Sequence, residues 1–220
     1  MSPRLFLASA SPRRRDLLTA AGFRFELVPP ATREAVSTAF TIRELTLLNA
    51  LRKARQVVAR SGDVVLAADT LVALDGDIIG KPLNLADARR ILRRLSGKTH
   101  QVCTAVCVTQ GRRARIFIAT SDVRFRPLSD RAIEAYLAKI DPLDKAGAYA
   151  AQENDREIIA RITGSDSNVV GLPMEETKRA LREFGVVPGT PARESRRLRI
   201  PPASASAGGR VSRRGKGTRR

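Results

Sequence analysis

The spacing of hydrophobic and polar residues changes several times along the chain, and these changes predict where strands and helices lie. Residues 4–8 are predicted to form a short buried strand, and residues 23–28 alternate between apolar and polar side chains, as strands do. Two longer β-branched segments, about 99–109 and 115–125, are joined around Gly111 and predict a hairpin. The pattern predicts further strands at 64–68, 71–74, 78–79 and 157–162.

Helix signals alternate with these strands. Ser11 and Pro12 are typical of a helix start, and that helix is expected to run to Ala21 before Gly22. Thr41 and Glu44 form a capping box for a long helix whose predicted apolar stripe reaches Val58, with Ser61 and Gly62 closing it. Other helices are predicted over 85–95, from Ser129 to about 139, and over 173–184. Strands and helices in this order indicate an α/β protein.

Composition and length narrow the class of protein. The chain has 220 residues, 43% of them hydrophobic, and its longest apolar runs, such as Val64–Ala68, are far too short to cross a bilayer. The apolar stretch Leu5–Ala8 is too short for a secretory signal peptide, so a cytoplasmic location is expected. No membrane partner is expected.

The formal net charge of +18 is unevenly distributed. Residues 189–220 carry ten Lys and Arg against one acid, Glu194, which is half of the net charge. With few apolar residues to bury, this segment is predicted to be a disordered basic tail that follows an enzyme domain over 1–188. Two interpretations stay open for the tail. It is either a solvated, dispensable extension or an arm with weak contact to nucleic acid.

The scarcity of histidine and cysteine excludes several chemistries. His100 is the only histidine, which rules out paired-histidine zinc sites and makes a carboxylate the expected general base. Cys103 and Cys107 lie four residues apart in a predicted strand, roughly 13 Å, whereas a disulfide needs Cα atoms within about 7 Å. Two buried free thiols are expected, with a zinc or redox role as the alternative. His100 is interpreted as a structural hydrogen-bonding residue.

Three short segments carry candidate chemistry. Residues 9–14 place a helix N-terminus beside Arg13 and Arg14, which favours an anion site, although an ordinary Ser-Pro helix start would look the same. Asp69 interrupts an apolar stretch where a strand is predicted to end, a costly place for an acid that neither binds a cation nor acts on a substrate. Lys81 follows a predicted hairpin. Together these residues indicate metal-assisted phosphate chemistry.

Six motifs occur in the order found in the Maf-like nucleoside triphosphate pyrophosphatases, which the chain resembles over nearly all of residues 4–185. The resemblance implies a mixed-sheet α/β fold with flanking helices, related to inosine triphosphate pyrophosphatases. It also implies a divalent cation (Mg, Mn or Co), a homodimer, and release of pyrophosphate from a nucleoside triphosphate. The motifs are LASASPRR (7–14), ADT (68–70), GKP (80–82), LSGKTH (95–100), DKAGAY (144–149) and SNVVGLP (167–173).

The resemblance also implies roles for single residues. Asp69 matches the catalytic proton acceptor, and Glu34 matches an acid that holds the metal together with Asp69. Phosphate binding falls to Ser11, Arg14, Lys53 and Lys81, although Glu34 and Lys53 could instead be surface charges. Three further positions match the branch of the family that hydrolyses dTTP and UTP rather than the branch that acts on 7-methyl-GTP: Arg13, Thr70 and Gln152.

Two departures from the family pattern fall beside Gln152. Ala150 and Glu153 stand where glycines are common, and either change would restrict the backbone if its position needs a positive φ. These two changes therefore bear on pyrimidine selectivity and not on catalysis. The alternatives are a pyrophosphatase for 7-methyl-GTP or another modified nucleotide, and a nucleic-acid-binding or septum-regulatory protein.

Overall fold

In a computed structural model of the protein, seven strands of the described residues (3–31, 34–37, 39–151 and 157–189) form one mixed sheet. Its order is β2-β1-β3-β5-β6-β7, and β4 pairs with β3. β1 runs parallel to β2 and β3, whereas the remaining pairs are antiparallel. This confirms the mixed α/β class. The strands are β1 (Leu5–Ala8), β2 (Glu26–Leu27), β3 (Val64–Leu74), β4 (Asp77–Ile79), β5 (Thr99–Gln110), β6 (Arg113–Phe125) and β7 (Ile159–Thr163).

Helices flank the sheet, mostly where the pattern predicts them. The capping box is confirmed, because the Thr41 side chain accepts from the Glu44 N–H while the Glu44 carboxylate accepts from the Thr41 N–H. The predicted extension to Val58 is wrong, since the helix ends at Ala54 and Val58 is 99% exposed. The helices are α1 (Pro12–Ala20), α2 (Ile42–Ala54), α3 (Leu85–Leu95), α4 (Asp130–Leu137), α5 (Asp166–Val170) and α6 (Met174–Glu183).

The segment around Asp69 differs from its prediction. Two strands at 64–68 and 71–74 were expected, but β3 is continuous, and residues 65–73 pair with 101–109 of β5 without a break. β5 supplies ladder partners along this whole stretch, so the strand continues through the polar residues Asp69 and Thr70. Asp69 therefore lies in mid-strand rather than at a strand end. The prediction for 23–28 was too long, since only Glu26 and Leu27 pair with β1.

A notch in the sheet lies beside the middle of β3. On this side β1 pairs with β3 up to Ala67, and β4 pairs with it again only from Val72. Residues 68–71 have no described strand partner there. The β3–β4 hairpin turns at Asp75 and Gly76, both with positive φ, which confirms the predicted tight turn.

Buried apolar side chains cover both faces of the sheet. One cluster joins Leu7, Leu18 and Leu66 to α6, and a second packs α2 against Phe6 and Ala67. A third lies under α3 and α4 and includes Leu92, Tyr136 and other large side chains with almost no exposure. Burial on this scale supplies the main driving force for folding. It also holds β3 rigidly on both sides of the notch.

Cys103 and Cys107 are buried free thiols, as predicted. Burial raises the pKa of Cys107 to about 11 and also raises that of Cys103. Both side chains therefore stay protonated at neutral pH and pack as small apolar groups.

The predicted basic tail lies outside the described residues except for Gly189, whose N–H donates to the carbonyl of Gly22 at 2.9 Å. Among the described residues, no helix is long and apolar enough to cross a membrane. The proposed boundary at 188 stays a prediction.

His100 lies in a buried aromatic cluster with Phe125 and Tyr149, whose ring centroids are 4.8 to 5.3 Å apart. Its Nε2 is 2.9 Å from the Tyr149 hydroxyl, and no described group pairs with Nδ1. Burial lowers the pKa of His100 to about 4. A neutral imidazole with these neighbours fits the predicted structural role.

A pH dependence of stability follows from this burial. Between about pH 6.5 and pH 4, His100 is protonated in the unfolded chain but stays neutral in the folded chain. The free energy of unfolding therefore decreases as the pH falls through this range. The contribution is about 3 kcal/mol. Urea unfolding at pH 7 and pH 4 tests this, because His100→Phe should lose less free energy of unfolding over that range than the natural protein. Equal losses would contradict the assignment.

Candidate active site

A cleft of about 490 Å³ opens at the notch beside β3. β1 ends there and leads through residues 9–11 into α1, while β4 leads into Lys81. α2 covers one face of β3 and α5 approaches the other. Eight of the nine sequence-predicted site residues line this cleft, namely Ser11, Arg13, Arg14, Glu34, Lys53, Asp69, Thr70 and Lys81. The ninth, Gln152, lies outside the described residues, as does Glu153.

On the α2 side, Lys53 bridges two carboxylates. Its Nζ is 2.5 Å from Oδ1 of Asp69 and 2.8 Å from Oε1 of Glu34. Lys81 Nζ lies 3.2 Å from the other oxygen of Glu34. Lys53 and Asp69 are buried, whereas Glu34 and Lys81 are partly open to solvent. Both side chains line the cleft and Lys53 is buried there, while the roles of Lys53 and Glu34 stay predictions.

Asn49 completes this side of the cleft, and sequence reasoning missed it. It precedes Lys53 by one helical turn on the buried face of α2. Its Nδ2 donates to Oδ2 of Asp69 at 3.3 Å and to the Ala35 carbonyl at 3.2 Å, and its Oδ1 accepts from the Ala35 N–H. Asn49 thus ties the segment of Glu34 and Ala35 to Asp69 of β3. Its i, i+4 spacing from Lys53 was the available signal.

Burial and charge act in opposite directions on the two acids. Burial raises the pKa of Asp69, and the charges of Lys53 and Arg14 oppose that rise. For Glu34, burial acts upward as well, but Lys53 and Lys81 outweigh it and lower the pKa to about 2. The cleft therefore holds one firmly ionised carboxylate and one whose proton affinity is enhanced, the property expected of a general base.

On the opposite side, Arg14 is buried and fixed in three directions. Nε donates to the Gly171 carbonyl at 2.8 Å, Nη2 to the Thr70 hydroxyl at 2.9 Å and Nη1 to the Ser9 hydroxyl at 3.3 Å. Burial lowers the pKa of Arg14, while the charge of Asp69 supports the protonated form. A guanidinium keeps its charge even so. Such a group presents its remaining donors to an anion in a fixed orientation.

Arg13 and α1 form the rim of the cleft. Arg13 Nη1 contacts Oδ2 of Asp144 at 3.0 Å, and Lys145 contacts the other oxygen of Asp144. Ser11 caps α1 by backbone geometry alone, since its side chain accepts no capping bond. The sequence motif at 144–149 contained Asp144 and Lys145, but nothing in their spacing indicated a contact with Arg13.

Beyond Thr70 the cleft becomes apolar. Tyr149 is nearly buried, and the other side chains of this wall are Val72, Val102, Ala146, Ala151, Val169 and Val170. Gly147 has a φ of +76°, and a Cβ there would stand 3.0 Å from the Tyr149 ring. Ala150 does not adopt a positive φ, so replacing glycine at this position introduces no backbone strain.

The donor set of the α2 side suits a divalent cation that is shared with a substrate. Mg²⁺ is commonly held by one or two carboxylates together with substrate phosphates and waters. Asp69 and Glu34 supply two carboxylates that already converge on one ammonium group. Among the described residues, no cluster of three or more His, Cys, Asp or Glu occurs.

Comparisons with known proteins identify the family of the chain. The chain is 47% identical to a dTTP/UTP pyrophosphatase of Anaeromyxobacter dehalogenans (strain 2CP-1), over 84% of this chain and 96% of the relative. It is 41% identical to a dTTP/UTP pyrophosphatase of Bacillus velezensis, over 84% and 99%. The solved Ham1 protein of Staphylococcus aureus covers 70% of this chain and 90% of its own, at 16% identity and a TM-score of 0.41. The family model for Maf-like proteins matches residues 4–184, and the chain belongs to that family.

Proposed function

We propose that the protein hydrolyses dTTP and UTP to the nucleoside monophosphate and pyrophosphate. The observation that carries the proposal is the cleft itself, where one buried carboxylate with a raised pKa stands among fixed cations and beside an apolar wall. Relatives that are 40–47% identical over most of their length bear the name dTTP/UTP pyrophosphatase, which supports the choice of substrate.

Charge balance supports a triphosphate ligand. The described lining includes five cationic side chains (Arg13, Arg14, Lys53, Lys81 and Lys145) and three acids (Glu34, Asp69 and Asp144), a net charge of +2. A nucleoside triphosphate that carries a divalent cation has a net charge of about −2. Binding would therefore neutralise the cleft, and affinity should weaken as ionic strength rises.

The proposed chemistry uses the two acids and the buried cations. Asp69 orients a water molecule and accepts its proton as the oxygen attacks the α-phosphorus, and the bond from that phosphorus to the pyrophosphate oxygen breaks. Arg14, Lys53 and Lys81 stabilise the charge that develops on the leaving pyrophosphate. Asp69 and Glu34 would hold a divalent cation, which neutralises the phosphates when bound.

A substrate panel tests the proposal. With Mg²⁺, Mn²⁺ or Co²⁺ present, we expect pyrophosphate release from dTTP and UTP to exceed that from 7-methyl-GTP, ATP and GTP. After chelation of the cation, we expect no pyrophosphate release. A panel led by 7-methyl-GTP would support the other branch of the family. Salt-sensitive DNA binding with no nucleotide turnover would support the nucleic-acid-binding alternative.

The basic tail is expected to be separable from catalysis. Residues 190–220 lie beyond the matched family region, which ends at residue 184. Protein truncated after Gly189, which keeps its bond to Gly22, should hydrolyse dTTP at nearly the full rate. It should bind DNA less well than the full chain, and the difference should shrink at high salt because binding by the tail would release counterions.

If truncation abolished hydrolysis in a folded protein, the boundary and the assignment of the tail would both be wrong.

We further propose a cytoplasmic homodimer. Light scattering of the full chain tests the dimer.

A further inference from the structure

A relay of buried hydroxyl groups lies behind the wall of the cleft. Thr70 Oγ1 is 2.9 Å from Oγ1 of Thr104, and Thr104 Oγ1 is 3.2 Å from the carbonyl oxygen of Asn168. Thr104 and Asn168 have no exposed surface. Asn168 Nδ2 also donates to the Val102 carbonyl and to the Ser121 hydroxyl, which fastens α5 to β5 and β6. The acceptor at the end of the relay is therefore fixed in position.

The direction of each hydrogen bond follows from proton counting. A carbonyl oxygen can only accept a hydrogen bond, so Thr104 donates its single hydroxyl proton to the carbonyl of Asn168. Thr104 can then only accept a hydrogen bond from Thr70. The Thr70 hydroxyl therefore donates its proton to Thr104. The Gly171 carbonyl is a poorer acceptor for that proton, because it lies 3.4 Å from Thr70 Oγ1, whereas Thr104 Oγ1 lies 2.9 Å away.

Thr70 consequently offers the cleft an acceptor and no donor. One lone pair of its oxygen accepts from Arg14 Nη2, which leaves one lone pair for a ligand. A phosphate oxygen is itself an acceptor and gains nothing from this group. The matching ligand group is an N–H or O–H donor.

The position of Thr70 indicates which donor that is. Thr70 and Val72 lie on the same face of β3, opposite Thr104 and Val102 of β5, where the cleft changes from cationic to apolar. A flat base that rests on the apolar wall would bring its edge to this boundary. Uracil and thymine both carry an imide N3–H donor on that edge, whereas cytosine carries a bare N3 acceptor.

We propose that Thr104 is a positioning residue that sets the hydrogen-bond polarity of Thr70, so that Thr70 accepts the imide N–H of uracil or thymine and disfavours cytosine. The inference rests on the proposed function and deepens it. A buried group that a ligand leaves unpaired, or meets with a like group, is a strong basis for discrimination.

The test is the ratio of kcat/KM for UTP to that for CTP. We expect the natural protein to prefer UTP by about 100-fold or more. Thr104→Val removes the acceptor, so the Thr70 proton can turn toward cytosine N3, and the ratio should fall about tenfold or more. Thr104→Ser keeps the acceptor and should keep the ratio.

Thr177→Val is the matched control, because Thr177 is equally buried and donates to the Pro173 carbonyl in α6, away from the cleft. It should leave the ratio unchanged. If Thr104→Val does not fold, Thr70→Val should also lower the ratio, since only UTP loses a partner.

Two results would overturn the proposal. One is a ratio near one in the natural protein, and the other is an unchanged ratio in Thr104→Val, which includes an equal loss for both nucleotides. Failure of the proposed function looks different, because the natural protein would then release no pyrophosphate from UTP at all.

Discussion

Replacing Asp69 by Asn is expected to reduce pyrophosphate release from dTTP by about 10²- to 10⁴-fold. The amide cannot take the proton from water, and the single histidine, His100, is buried with a pKa of about 4 beside Phe125 and Tyr149. The variant should still fold, because Asn has nearly the same volume and Lys53 keeps Glu34 as a charged partner at 2.8 Å. Turnover and urea unfolding, measured on the same preparation, check both statements.

Asp63→Asn is the matched control for this variant. Asp63 is also a buried, ion-paired aspartate near β3, bonded to Arg4 at 2.8 and 3.1 Å, but it does not line the cleft. It should destabilise the fold and leave turnover per folded molecule close to that of the natural protein. Near-normal turnover in folded Asp69→Asn would remove Asp69 from the role of base.

Arg14→Lys is expected to lower kcat/KM for UTP by roughly 10²-fold. Lysine keeps the charge but cannot bind the Gly171 carbonyl, the Thr70 hydroxyl and the Ser9 hydroxyl at once. An ammonium group without these anchors no longer presents donors in a fixed plane. Steady-state kinetics at constant ionic strength measure the loss.

Arg15→Lys is the control for charge and position. Arg15 follows directly in α1 and is exposed, and its side chain bonds only to the neighbouring Asp16 among the contacts described. Its replacement should change kcat/KM less than twofold. A change of less than twofold in Arg14→Lys as well would mean that Arg14 acts only through its charge.

Local patterns predicted most of the fold. The predicted helix at 85–95 agrees with α3 at both ends, and the predicted hairpins form, because turn residues and apolar periodicity determine these elements locally. The continuity of β3 was not predictable in this way. It depends on β5 supplying ladder partners on both sides of Asp69, which is a tertiary effect.

The candidate site was predicted in its residues but not in its connections. Motif matches named Lys53, Glu34 and Asp69 separately. Only the folded chain brings the carboxylates of Glu34 and Asp69 to the ammonium group of Lys53. Helical spacing could have suggested Asn49. The hydroxyl relay from Thr70 to Thr104 joins residues 34 positions apart through strand register, so no local pattern could indicate it.

Product analysis tests the central claim most directly. UTP is incubated with the full 220-residue chain and a divalent cation, and the phosphorus-31 spectrum is followed as the substrate disappears. The account predicts UMP and pyrophosphate in equal amounts with no orthophosphate, and the same change at least about 100-fold more slowly in the Asp69→Asn variant. UDP with orthophosphate would contradict attack at the α-phosphorus, and the absence of turnover would contradict the proposed function itself.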